Sequence, residues 1–378
     1  MSTTPRLASP LFGANRLKLG VFCTNGRGNP GTTVPEARTM DWPTSLQVAR
    51  IADEAGYEAI VPFSRWKGYV ATDPDHIGGD VLDPYTFAAA TAQATHRVGI
   101  FVTSHAPTIH PIMAAKQLAT IDIISGGRAA LNVVAGWNRP ELEMFGAAMR
   151  EHDERYDYLA EWLEVVERLW SSDGEFDFAG EFFRIVKGIS RPRPIQQPRI
   201  PIMNAGGSTR GMAFACEHAD LAFVIVKSDD PATIRAEVDG YKWLARERFG
   251  REVQVWTYAF VVQRPTQREA DEYLHHYAVV HQDRPSADGW IAMQVQEAQL
   301  MPPHVLEGMR VRFAAGSGGY GLVGTPDRIA ERIGMLADCG IDGVLLTWTD
   351  YVAGMNDFNR DVLPLLERAG LRELAGIL

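Results

Sequence analysis

The stretch IMAAKQLATIDIISGGRAALNVVA, residues 112–135, contains the unit that decides the fold of this chain. Its first half predicts a helix over 112–124, which the glycine pair Gly126-Gly127 ends. The apolar run AALNVVA at 129–135 then predicts a buried strand. This helix–strand unit recurs along almost the whole sequence.

Seven further strand-like runs alternate with helical patterns. The strands are predicted at 17–23, 59–63, 98–103, 200–204, 221–226, 253–262 and 343–348. The other helices are predicted at 45–55, 85–95, 154–170, 208–218, 231–249, 326–338 and near 361–369. Eight alternating units predict an α/β protein with a (β/α)₈ TIM-like barrel, and a doubly wound open sheet is the second possibility.

Two segments interrupt this rhythm. Residues 171–198 predict a β-excursion followed by a Pro-rich connector. Residues 267–320 are less regular, with aromatic residues, histidines and a Gly-rich end. Because long structured loops at the mouth of a barrel usually have a function, we expect a lid-like insertion there. No linker with a shift in composition is evident, so residues 1–378 are interpreted as one barrel domain.

Composition excludes several classes of protein. The chain has 378 residues, 46% hydrophobic and 22% charged, with a net charge of −10. This acidic balance argues against nucleic acid as a partner. No apolar run approaches the ~18 residues of a membrane span, and residues 1–16 lack the apolar core of a signal peptide. Three widely spaced cysteines fit a reducing compartment, so a cytoplasmic protein is expected.

Two nominal motifs are better explained without a function. Gly26, Gly28 and Gly31 match GxGxxG, but Pro30 and a polar stretch separate them from the next helix, which favours a barrel-mouth loop over a dinucleotide site. The histidines at 275, 276 and 281 lack a carboxylate at a matching helical offset. The sequence therefore predicts no metal site.

The segment AGGSTR at 205–210 follows a predicted strand and opens a helix. Gly206 and Gly207 permit close approach of an anion, and a helix N-terminus offers free N–H groups. Ser208 is a phosphate ligand in this interpretation, or simply the helix N-cap. Its position late in the barrel order matches the usual phosphate site of this architecture.

Three further polar residues suggest a ligand inside the barrel. Asn132 lies within an apolar strand, where a buried amide either links the barrel wall or faces a ligand. Thr103 has a similar place at the end of the third strand. Arg155 precedes Tyr156 near the start of the helix predicted at 154–170, where cations are electrostatically disfavoured. That conflict points to an anionic partner.

Four motifs in order resemble the bacterial-luciferase-like flavin monooxygenases. They are AAKQLATIDIISGGRAALNVVAGWNRPELEMFG (114–146), HDERYDYLAEWLEVVERLW (152–170), AGGSTRGMA (205–213) and LVGTPDRIAERI (322–333). Within this superfamily, the chain is most similar to the group of pyrimidine, dimethylsulfone and alkanesulfonate monooxygenases.

The resemblance implies a luciferase-like barrel that binds reduced FMN from a separate flavin reductase and activates O₂. It implies that Asn132 and Thr103 are catalytic and line the flavin face where oxygen adds, at N5 rather than C4a. It places Glu141 at the ring or ribityl edge. It assigns the phosphate to Arg155, Tyr156 and Ser208, and the flavin edge to Phe63, Ser64 and Arg65.

The resemblance does not decide the substrate. Pyrimidine monooxygenases have Met and Lys where this chain has Phe63 and Arg65, and the loop at 68–83 differs as well. We therefore expect a small heteroatom-rich substrate, such as a pyrimidine-like heterocycle or an organosulfur compound. We also expect a homodimer or homotetramer. The alternatives are a deazaflavin-dependent oxidoreductase of the same fold and a flavin-binding barrel without activity.

Overall fold

The computed structural model describes residues 9–27, 31–38, 40–294 and 301–373. The strands are β1 (Lys18–Phe22), β2 (Ala59–Val61), β3 (Gly99–His105), β4 (Ala129–Val134), β5 (Phe176–Ala179), β6 (Arg184–Gly188), β7 (Ile202–Asn204), β8 (Leu221–Phe223), β9 (Gln254–Gln263), β10 (Tyr320–Gly324) and β11 (Gly343–Thr347). The helices are α1 (Trp42–Glu54), α2 (Pro84–Ala94), α3 (Pro111–Ser125), α4 (Arg139–Met144), α5 (His152–Ser171), α6 (Thr209–His218), α7 (Pro231–Phe249), α8 (Gln267–His275), α9 (Arg284–Gln294), α10 (Pro303–Gly316), α11 (Pro326–Asp338), α12 (Tyr351–Asp361) and α13 (Leu363–Arg368).

Eight parallel strands close into a barrel in the order β1-β2-β3-β4-β7-β8-β9-β11, and β11 pairs with β1 again. The predicted (β/α)₈ barrel is therefore confirmed, and the open doubly wound sheet is wrong because no barrel strand is left at an edge. All eight predicted strands are barrel strands. The strand β10 extends the sheet along β9, beyond the residues of β9 that pair with β8.

Side chains fill the barrel interior from its amino end toward the carboxyl end. One is Leu11, from the turn before β1. The others come from alternate strand positions, as the two-residue period of a strand requires: Ala59, Val61, Phe101, Ala130, Met203, Leu221, Phe223, Trp256, Tyr258 and Leu345. Gly343 is required beside Trp256, because a Cβ there would overlap the indole ring. The same alternation turns Thr103 and Asn132 inward at the carboxyl end.

Two helices differ from expectation. The closing helix predicted near 361–369 is α13, and the helix α12 before it was not predicted. The short helix α4, which follows β4, was also missed. The predicted β-excursion is confirmed as the antiparallel hairpin of β5 and β6.

The segment predicted as an insertion contains α8, a π-helical turn at His276–Val280, α9 and α10.

Of the GxGxxG loop, residues 28–30 lie outside the described part of the chain. Within the described residues, no helix is long and apolar enough to cross a membrane. In the same residues, no three His, Cys, Asp or Glu side chains group as metal ligands.

Candidate active site

A cavity of about 390 Å³ opens at the carboxyl end of the barrel, the end where barrel enzymes have their active sites. Its volume lies in the range of ligand pockets, about 300–1,000 Å³. It is lined by Phe22, Phe63, Ser64, Arg65, Thr103, His105, Asn132, Val134, Ala135, Gly136, Trp137, Glu141, His152, Arg155, Tyr156, Asn204, Ala205, Phe223, Ile225 and Gln294.

Asn132 and Thr103 are cross-strand neighbours in the inner wall of this cavity. The Asn132 Nδ2 atom donates a hydrogen bond of 3.1 Å to Thr103 Oγ1, and the Thr103 hydroxyl donates to the Pro62 carbonyl. The Thr103 hydrogen is thereby used within the protein. Asn132 Oδ1 is buried and has no hydrogen-bond partner, so it is an acceptor available to a ligand.

Asn204 supplies a second unpaired acceptor on the next strand, β7. Its Nδ2 atom donates to the Val133 carbonyl at 2.8 Å, while its Oδ1 atom is buried without a partner. Buried polar atoms are almost always hydrogen-bonded in folded proteins. Two unpaired amide oxygens lining one cavity therefore point to a bound molecule with N–H or O–H donors.

Glu141 is the acidic side chain of the cavity wall, and it is 1% exposed. Its Oε1 atom accepts from the Trp66 N–H at 2.8 Å and the Lys67 N–H at 3.2 Å, and Oε2 lies 3.6 Å from His105 Nδ1. Burial by itself raises the pKa of Glu141, but the nearby His105 side chain and the hydrogen bonds from the two N–H groups outweigh it and lower the pKa. Glu141 thus joins α4 to the segment after β2 as a carboxylate.

The contribution of Glu141 to stability is expected to depend on pH. Because the folded-state pKa lies below the ordinary value of 4.5, the contribution is complete above that value and is lost as the pH falls through the folded-state pKa. Glu141→Gln is therefore expected to unfold more readily than the wild type at pH 7, and the difference should shrink below about pH 4.5. Urea unfolding of both proteins from pH 7 to pH 3 measures this, and a constant difference would contradict it.

The end of the cavity next to α6 is cationic. The Arg155 Nη1 atom donates to the Gly136 carbonyl at 3.0 Å, while Nε is buried without a partner. Beside it, burial raises the pKa of the Tyr156 hydroxyl despite a hydrogen bond with Ser208 and the nearby Arg155 charge. Tyr156 therefore remains protonated at neutral pH. Both side chains have donors suited to an anion.

The loop at Gly206–Ser208 adjoins this cationic end but does not line the cavity itself. Ser208 is the N-cap of α6, since its Oγ atom accepts from the Gly211 N–H at 3.1 Å. Together with His152 it lines a neighbouring open depression, and His152 also lines the cavity. A Cβ on Gly206 would overlap the Gly211 backbone, whereas one on Gly207 would meet nothing within 4 Å. The helix start thus faces open space with free N–H groups, where an anion fits.

The structure brings eight of the predicted site residues into one cavity, namely Phe63, Ser64, Arg65, Thr103, Asn132, Glu141, Arg155 and Tyr156. Gly206, Gly207 and Ser208 lie beside it. Sequence reasoning missed His105 and Asn204. Asn204 ends the strand predicted at 200–204, the same signal that selected Thr103, whereas His105 lies two residues beyond the strand predicted at 98–103.

A closed (β/α)₈ barrel with a polar cavity at its carboxyl end is the architecture of an enzyme. The sequence pattern of the luciferase-like monooxygenases matches residues 17–343. The chain belongs to this family of enzymes.

Two relatives are similar over nearly their whole length. An FMNH₂-dependent dimethylsulfone monooxygenase of Pseudomonas putida is 30% identical over 93% of this chain and 95% of the relative. Pyrimidine monooxygenase RutA of Escherichia coli is 30% identical over 96% of this chain and 93% of the relative. The crystal structure of a riboflavin lyase, RcaE, superposes with a TM-score of 0.83 at 23% identity, covering 95% of this chain and 93% of that one. This last likeness concerns the fold.

Proposed function

We propose that this chain is a two-component FMN-dependent monooxygenase. It takes reduced FMN from a separate NAD(P)H-dependent flavin reductase and uses O₂ to oxygenate, and in some cases cleave, a small heteroatom-rich substrate. The observation that best supports this proposal is the distribution of polar groups in the cavity. Unpaired amide oxygens lie on the barrel wall, and a cationic end lies beside the start of α6. Similarity to an FMNH₂-dependent relative supports the choice of cofactor.

The residues present fit a flavin mononucleotide. Asn132 Oδ1 and Asn204 Oδ1 would accept from N–H groups of a reduced ring, whereas Phe63 and Ser64 would border its edge. Arg155 and Tyr156, with the helix start at Gly206–Ser208, would hold the phosphate. Reduced FMN, when bound, supplies the electrons that activate O₂. Oxygen addition at N5, with Asn132 and Thr103 beside it, belongs to this proposal.

The proposal also covers the lid of the cavity, the substrate, the oligomeric state and the cellular location. The insertion at 267–320 would act as a lid on the mouth of a single barrel domain, since Gln294 at the end of α9 lines the cavity. Such a cover keeps water from the reaction. The substrate would be a small heteroatom-rich compound, such as a pyrimidine-like heterocycle or an organosulfur compound. We further propose a cytoplasmic homodimer or homotetramer.

The decisive test mixes the protein, preloaded with photochemically reduced FMN, with O₂ in a stopped-flow spectrometer. The proposal expects spectra and rates that differ from those of free reduced FMN. A trace identical to that of free flavin would refute it, and a preference for reduced deazaflavin in a parallel titration would favour hydride transfer instead. Oxygen uptake with a flavin reductase, across pyrimidines, sulfones and sulfonates, then identifies the substrate.

Arg155→Ala is expected to weaken FMN binding about 10- to 150-fold, the equivalent of roughly 1.5–3 kcal/mol for a hydrogen bond to a charged group. Fluorescence titration with FMN and with riboflavin measures this. Because riboflavin lacks the phosphate, its affinity should change much less.

The control for Arg155→Ala is Arg150→Ala. Arg150 pairs with Glu154 and stacks on Tyr158, outside the cavity. An equal loss of FMN affinity in both variants, or an equal loss for FMN and riboflavin, would place the phosphate elsewhere.

A further inference from the structure

Arg65 lies in the cavity wall in a fixed position. Its guanidinium carbon is 4.6 Å from the ring centroid of Phe63 and 4.3 Å from that of Tyr69. The Nη1 atom donates to the Gly78 carbonyl at 2.9 Å, and Nη2 donates to the Tyr69 hydroxyl at 2.7 Å. Stacking and two neutral acceptors thus orient the side chain and leave three of its five N–H groups for other partners.

The charge of Arg65 is not neutralised by an ion pair. Among the residues that the structure describes, no carboxylate lies within 4.0 Å of its guanidinium. Glu141, the acidic side chain of the same cavity, is already bound to the Trp66 and Lys67 N–H groups and to His105. A guanidinium in a cavity wall without a counter-ion is an attractive site for an anion, above all a planar carboxylate that accepts two parallel hydrogen bonds.

The residues that hold Arg65 in place are themselves tightly packed. Tyr69 packs edge-on against Phe313 of α10 at 5.5 Å, and Phe313 stacks on Trp290 of α9 at 5.2 Å. A Cβ on Gly289 of α9 would overlap the Tyr69 carbonyl, so helix and loop are in close contact. The insertion therefore holds Tyr69, and Tyr69 holds Arg65. Preorganisation of this kind increases affinity because little side-chain freedom is lost on binding.

We propose that Arg65 is a specificity-determining residue that binds a carboxylate group of the organic substrate. This inference rests on the proposed function, since it assigns Arg155 to the phosphate of FMN and Arg65 to the substrate. It also changes the role of Arg65, which the family resemblance places at the flavin edge. The substrate is then a small heteroatom-rich compound that carries a carboxylate group, with its oxidisable group beside the flavin.

The test compares matched ligands on the FMN-saturated protein by isothermal titration calorimetry. The probes are acetate, butyrate and benzoate, each paired with its neutral amide of nearly equal shape. In the wild type, at least one carboxylate is expected to bind tenfold or more tightly than its amide, the range of a charge-assisted hydrogen bond. Arg65→Met should abolish this preference, and Arg65→Lys should retain only part of it because lysine lacks the planar fork.

Lys67→Met is the matched control, because it removes a charge from the same segment on an exposed side chain outside the cavity. It should keep the carboxylate preference. The proposal is overturned if no carboxylate binds better than its amide, or if Arg65→Met keeps the preference. If Arg65→Met loses as much affinity for FMN as for the carboxylate, Arg65 binds the cofactor and not the substrate. Failure of the wild type to bind FMN would instead refute the proposed function.

Discussion

Asn132→Ala is expected to lower the yield of oxygenated product by about 10²–10³-fold, the usual effect of removing one preorganised polar group from a reacting centre. The reason lies in the hydrogen bonding of the inner wall. Thr103 donates its hydrogen to the Pro62 carbonyl, so the free polar atom of the pair is Asn132 Oδ1. Without it, O₂ would still oxidise reduced FMN, but the O₂ would be released as hydrogen peroxide and would not oxygenate a substrate.

Product and peroxide are measured in the same reaction, once the substrate is known from the oxygen-uptake screen. The matched control is Asn359→Ala, since Asn359 accepts from the Tyr57 hydroxyl at 2.8 Å and does not line the cavity. The control should retain product formation with a modest loss of stability. Undiminished product formation by Asn132→Ala would remove Asn132 from the mechanism.

The barrel was predictable because each of its strands is buried on both faces. Such strands read as short continuous apolar runs, which stand out between amphipathic helices. The helix α12 was not predicted because Gly354, Asn356 and Asn359 are poor helix formers. Tertiary contacts stabilise it instead, since Met355 and Phe358 are fully buried and Asp350 caps its first turn.

Site residues were predictable where a polar side chain interrupts an apolar strand, as Asn132 does. The residues that such a side chain contacts in the folded protein were not predictable. His105 and Glu141 are separated by 36 positions in sequence, and only the closing of the barrel wall places them 3.6 Å apart. Similarly, no local pattern shows that the Glu141 carboxylate binds the Trp66 N–H, because that contact depends on how α4 packs against the segment after β2.

One contact at the amino end of the barrel has a large expected effect on stability. Arg372 and Glu58 form a buried ion pair of 2.7 Å, with side chains 3% and 6% exposed. Arg372 also donates to the carbonyls of Leu17 at 2.9 Å and Gly56 at 2.7 Å. Glu58 accepts in addition from the Leu19 N–H at 2.8 Å. Arg372, which follows α13, is thereby joined to the residues directly before β1 and β2.

Arg372→Met is expected to destabilise the protein by about 3–5 kcal/mol, because it leaves the Glu58 carboxylate buried without its counter-charge. With an unfolding entropy of about 2.1 cal/mol/K per residue, this lowers the midpoint of thermal unfolding by roughly 4–6 °C. Calorimetry measures the shift. In the double variant with Glu58→Gln, part of the loss should return, since an uncharged amide no longer needs the guanidinium while its oxygen can still accept from Leu19.

The comparison that isolates burial is Arg16→Met. Arg16 pairs with Asp338 at 2.6 Å, but these side chains are 53% and 66% exposed. Exposed ion pairs contribute little, about 0–1 kcal/mol, because water and salt screen them. If the unfolding midpoint falls equally for Arg16→Met and Arg372→Met, burial of Glu58 is not the reason that Arg372 stabilises the protein. If it falls strongly for Arg372→Met alone, and Glu58→Gln partly restores it, burial of Glu58 is the reason.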